Sequence, residues 1–147
     1  MKKLVANELF FEEVERMLAE GKEVRFTLKG HSMYPFLRNN KEEVVVKACN
    51  PTLLKRQDVV LFRYQGRHIL HRIVHLDAAG FTMQGDGICQ GMEHCEAKDI
   101  AGKVIRIRYA SGKWVDAENA SLLRINRIWL QMTGIRRILL RVLRFVW

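Results

Sequence analysis

The segment Lys29-Gly30-His31-Ser32-Met33-Tyr34-Pro35-Phe36-Leu37 puts a hydroxyl residue two positions after a glycine and three before a proline. Glycine lets backbone approach a ligand closely and proline stiffens the turn that follows, which makes Ser32 a candidate nucleophile. A serine hydroxyl is weakly nucleophilic at neutral pH, so it needs a neighbour that takes its proton. The candidates are His31, His68, His71, His75 and His94, with several lysines. His71 sits in Ile69-Leu70-His71-Arg72-Ile73-Val74, where apolar neighbours would favour the neutral imidazole that a base requires. An isolated histidine is more often a hydrogen-bonded core or surface residue, and spacing alone does not select this one. Cys89, His94 and Cys95 with His75 match no usual zinc spacing. No metal and no cofactor are expected. Cys49, before Asn50-Pro51, is a weaker candidate nucleophile still.

The elements that must position these groups change character along the chain. Residues 5–20 carry Val5, Leu9, Phe10, Val14, Met17 and Leu18 at helical spacing, with Gly21 as a C-cap. From residue 24 the pattern becomes short β-branched runs at 24–28, 43–47, 58–64, 68–76, 80–84 and 102–109, divided by turn residues. Gln65-Gly66 looks like the turn of a hairpin that pairs the two longest runs antiparallel. The expected fold is mainly β: a catalytic domain over 1–112, with its helix at 5–20 and β core at 24–109, followed by a helical tail over 113–147.

Read together, G-x-S-M-x-P-x-L at 30–37, D-V-V-L-F-R at 58–63, L-H-R-I-V at 70–74 and Q-G-D-G at 84–87 resemble the catalytic domain of type I signal peptidases and of the related self-cleaving SOS-type repressors. The four pieces stand in the family's order over residues 24–108. The resemblance implies a signal-peptidase-like β-fold with Ser32 as nucleophile. His71-Arg72 stands where bacterial members have a lysine, which implies the histidine subtype. An acidic residue is then expected to support the imidazole. Asp86 fills the G-D position, but the second aspartate would fall at Met92, with Glu93 beside it, so both Asp86 and Glu93 are candidates for the third member of a Ser-His-acid triad. Asp86 reads equally well as a turn residue bonded to its own backbone.

The same resemblance assigns the first box, with Gly30, Met33 and Pro35, to substrate binding and to the oxyanion side. Gly30 replaces a serine hydroxyl that binds the oxyanion in many signal peptidases, which leaves backbone N–H groups, that of Ser32 among them, to do so. Asn40-Lys41 and Gln57 replace the family's glycine-containing turns, so those turns are expected to differ in shape. The family's N-terminal membrane span has no counterpart.

Composition bounds the rest. With 147 residues, 48% hydrophobic and 28% charged, the chain suits one soluble domain. Three cysteines, an odd set, and no export signal fit reduced thiols in the cytoplasm. The net charge of +9 is local: residues 121–147 hold six arginines and no acid. Arg124, Arg127 and Gln131, then Arg137, Arg141 and Arg144, form polar faces opposite Leu123, Ile128, Trp129, Met132, Ile135, Ile138, Leu139, Val142, Phe145, Val146 and Trp147. Six arginines are too many for a transmembrane helix. The tail reads either as a basic amphipathic helix on an anionic membrane surface, with Trp129 and Trp147 at the interface, or as a helix packed on the domain. Nucleic-acid binding is less expected, since stacking and base-reading residues are sparse. The function expected is a serine endopeptidase acting through an acyl-enzyme on a leader or precursor peptide, cytoplasmic and peripheral on the inner membrane face. The alternatives are a non-catalytic peptide-binding relative and a self-cleaving regulator, for which residues 1–23 are too short to supply a helix-turn-helix domain.

Overall fold

A computed structural model describes residues 8–132 and 134–146. The β-branched runs become strands β1 (Val24–Thr27), β2 (Glu43–Lys47), β3 (Val59–Tyr64), β4 (Arg67–Asp77), β5 (Gly80–Gln84), β6 (Glu93–Cys95), β7 (Ile100–Arg108) and β8 (Trp114–Asp116). The helices are α1 (Glu8–Ala19), α2 (Ala120–Gln131) and α3 (Arg136–Val146). The first three residues of the helix expected at 5–20 lie outside the described residues. Strands β6 and β8, three residues each, are too short to show an alternation that sequence could reveal.

Every pairing is antiparallel, in the order β1-β2-β7-β3-β4-β5-β6, with β8 on β7. The described residues are therefore mainly β, an open antiparallel sheet with three α-helices. The predicted hairpin forms: Tyr64 pairs with Arg67, and Gln65 (φ 50°) and Gly66 (φ 78°) both take the left-handed conformation of a tight two-residue turn. Asn40 (φ 60°) and Gln57 (φ 87°) also lie in the region that glycine enters most easily. Those two turns thus keep a glycine-like backbone in residues that carry side chains.

The two-residue period of β3 divides the interior. Val59 and Leu61 enter a core with Val14 and Leu18 of α1, Val44 and Val46 of β2 and Val104 of β7, while Val60 and Phe62 enter another with Ile73, Phe81, Met83 and Cys95. Burying an aliphatic side chain of this size contributes about 1.5–3 kcal/mol, which makes β3 the hub of the fold. Helix α1 is further tied to the hairpin by Glu15, whose carboxylate accepts from Arg63 at 2.7 and 2.8 Å and pairs with His68.

The tail packs on the body. Tyr34, Trp129 and Leu140 form a third cluster joined by Phe36, Leu139 and Leu143. The expectation that Trp129 lies at a membrane interface is corrected: its side chain is buried and its indole N–H donates to the Asp86 carbonyl at 3.0 Å. An indole N–H taken out of water needs such a partner. Trp147 lies outside the described residues. A break is foreseen at Thr133-Gly134; α2 ends at Gln131 and α3 begins at Arg136, and Thr133 itself lies outside the described residues.

Candidate functional site

Ser32 stands in the loop between β1 and β2, which the core holds from below. Met33 and Leu37 are buried in the first core, and the loop's ends are joined by Leu28 N–H to Glu42 O (3.1 Å) and Asn40 N–H to Leu28 O (2.8 Å). Glu42, fully buried, accepts from the Arg38 backbone N–H at 2.6 Å and from its guanidinium at 2.8 Å. A buried carboxylate is tolerated only with such partners. This clamp was not foreseen, because a charged pair four residues apart looks like surface in sequence.

His71 lies on β4 opposite Val60. Successive residues of a strand face opposite ways, so His71 and Arg72 separate. His71 shares the face of Ile69 and Ile73 and approaches the Phe62 ring at 6.4 Å, and its Nδ1 meets Glu93 Oε1 at 2.8 Å. Glu93 begins β6, two strands away across β5, in register with Met83. Arg72 turns the other way and grips Asp86 with two bonds, Nε to Oδ1 at 2.8 Å and a terminal nitrogen to Oδ2 at 2.7 Å, both side chains almost fully buried. The two candidate carboxylates therefore separate by partner: Glu93 orients the imidazole, and Asp86 is committed to a guanidinium. The reading of Asp86 as the acid behind His71 is corrected accordingly.

The other ring nitrogen of His71 points toward the serine loop. A Cβ at Gly85 would lie 2.9 Å from His71 Nε2 and 2.3 Å from the Ser32 carbonyl oxygen. Only hydrogen at that position leaves room for both. Gly87 is equally constrained, its Cβ position being 2.5 Å from the His31 carbonyl, and its N–H donates to Ser32 O at 2.8 Å. The Q-G-D-G box and the serine box occur together because the turn of one is the seat of the other.

Ser32, His71 and Glu93 line one cleft of about 1120 Å³, walled by Phe10, Phe11 and Phe26 and by Ile69 and Leu70. Among the described residues no hydrogen bond joins Ser32 Oγ to His71; a substrate-free site often holds such a pair slightly apart. The Ser32 N–H makes no hydrogen bond among the described residues. Three assignments to substrate binding change. Gly30 donates its N–H to Asn39 Oδ1 at 2.7 Å and serves the loop through its left-handed φ of 88°. Met33 is a core residue at 1% exposure, and Pro35 is buried behind the loop after a cis peptide bond. Sequence also missed the cleft's aromatic wall, since Phe10 read only as part of a helix's apolar side and nothing in the local pattern singled out Phe11 or Phe26.

Among the described residues no cluster of three or more His, Cys, Asp or Glu is arranged to hold a metal ion. His94 Nδ1 meets Thr82 Oγ1 at 2.9 Å, and Cys95 lies in the second core. The fold and the site together describe a mainly β protein with a serine, a histidine and a glutamate at one open cleft. No protein-family model and no curated protein sequence matches this chain.

Proposed function

We propose that the protein is a serine endopeptidase, similar to the histidine-type signal peptidases, that cleaves an extended segment of a leader or precursor peptide. The observation that carries the reading is the order Glu93, His71, Gly85, Ser32: a carboxylate 2.8 Å from one imidazole nitrogen and a serine loop packed at the other. Ser32 Oγ attacks the peptide carbonyl carbon and its proton passes to His71 Nε2, while Glu93 holds the Nδ1–H tautomer and stabilises the imidazolium. The Ser32 N–H faces the developing oxyanion. His71 then protonates the leaving amine, and water, deprotonated by the same imidazole, releases the acyl group.

The sheet supports an extended substrate. Among the described residues β1 ends the sheet with one edge unpaired, and residues 67–71 of β4 pair only with β3, since β5 ends at Gln84 opposite Arg72. Both stretches border the cleft, and a peptide laid there finds main-chain partners like those of an added strand. Resemblance to signal peptidases suggests a cut after small residues.

A fluorophosphonate probe followed by intact-mass measurement tests the assignment. The expected outcome is a single adduct on Ser32 that disappears in Ser32→Ala and forms at least ~10³-fold more slowly in His71→Ala. Absence of any adduct, with extended peptides still bound in the cleft, would replace this reading by that of a non-catalytic peptide-binding protein. An intact chain cut within itself on incubation would favour a self-cleaving regulator.

A further inference from the structure

We propose that α2 and α3 seat the protein on the surface of an anionic lipid bilayer. The helices turn Trp129, Leu130 and Leu140 toward the body, yet Ile125, Ile128, Ile135, Ile138 and Val142 remain 51–62% exposed. These residues recur at 125 and 128, and at 135, 138 and 142, the spacing of one flank of a helix. Isolated exposed apolar residues are ordinary, whereas such aligned strips mark a contact surface. Beside them Arg124, Arg127, Arg137 and Arg141 are exposed, and no acidic residue lies between 121 and 147.

That pairing of features selects the occupant. A second copy of the chain would set arginines against arginines. A nucleic acid would neutralise the arginines but leave the isoleucines in water. An anionic bilayer satisfies both, because apolar side chains enter the acyl boundary while guanidiniums meet phosphate headgroups. No helix among the described residues is long and apolar enough to cross a membrane, and α2 and α3, of 12 and 11 residues, suit an in-plane position. The negatively charged cytoplasmic leaflet has the matching sign.

Sedimentation of the full chain with vesicles tests this directly. Vesicles of phosphatidylcholine with roughly 30% phosphatidylglycerol should bind the protein about tenfold or more tightly than phosphatidylcholine alone. Raising salt from roughly 0.1 M to 0.5 M should weaken binding. The double variants Ile128→Glu with Ile138→Glu, and Arg127→Gln with Arg137→Gln, should each lose about tenfold without a change in melting temperature, since all four side chains are exposed. Ser32→Ala should bind as the native chain does, which separates this test from that of catalysis. Failure to bind anionic vesicles, binding that neither variant weakens, or a dimer that the Ile128→Glu and Ile138→Glu pair dissociates would each overturn the proposal.

Discussion

At the scale of single residues, the neighbours His71 and Arg72 hold two carboxylates that sequence could not tell apart, and their substitutions should part in consequence. Glu93→Gln leaves the fold intact but offers His71 Nδ1 a partner of no charge, so probe acylation of Ser32 should fall by roughly 10²–10⁴-fold at unchanged melting temperature. Asp86→Asn leaves Arg72 buried against a neutral side chain. It should destabilise the chain by about 3–5 kcal/mol in chemical denaturation, any loss of activity following from that. Equal effects of the two variants on stability would contradict the division of roles. Gln57 offers a gain: its φ of 87° is costly for a side chain, and its buried amide oxygen has no hydrogen-bond partner among the described residues. Gln57→Gly removes both penalties, and the denaturation midpoint should rise by the equivalent of about 1 kcal/mol.

At the scale of elements, α1 forms one wall of the cleft and is held to the β3–β4 hairpin through Glu15. Burial alone would raise the Glu15 carboxyl, but hydrogen bonds from Arg63 and His68 outweigh it and leave it below the usual 4.5. A depressed folded-state value means that the stabilisation is present above pH 4.5 and is lost as pH falls through the folded value. Hydrogen exchange in α1 should therefore quicken on acidification, and Glu15→Gln should quicken it at neutral pH while β3 and β7 stay protected. The C-terminal helices brace the other side of the site. Tyr34 OH donates to the Leu143 carbonyl at 2.6 Å, and Arg136 donates to Gln84 Oε1 at 3.2 Å. The basic tail and the serine loop are thus one packed unit.

At the scale of the whole molecule, the interior keeps protons that an unfolded chain would release. Desolvation by burial pushes the Cys95 thiol from 9.0 up to about 12, with Asp99 and Glu96 adding to it, and burial likewise raises Cys49 and Tyr109. Below pH 9 both states hold the Cys95 proton. Between pH 9 and about 12 the unfolded chain loses it first, so stability falls as pH rises. Denaturation midpoints at pH 8, 10 and 11 should decline, and Cys95→Ala should flatten that decline. All three cysteines are free, and Cys95 should react slowly with alkylating agents at pH 8.

Local patterns in the chain determined the helix 3.6-residue periods, the alternating strands, the Gln65-Gly66 hairpin and the break between the two C-terminal helices, because each depends on residues near one another. The motif order also brought Ser32 and His71 forward together, with Asp86 and Glu93 as alternative carboxylates. Tertiary structure decided what depends on distant partners. Pleating at β4 sent His71 to Glu93 and Arg72 to Asp86, and close packing reserved positions 85 and 87 for glycine. Folding of the tail onto Tyr34 turned Trp129 inward and left isoleucines outside. A side chain's type states what it can bond, but its partner is set by which elements the sheet brings within about 3 Å.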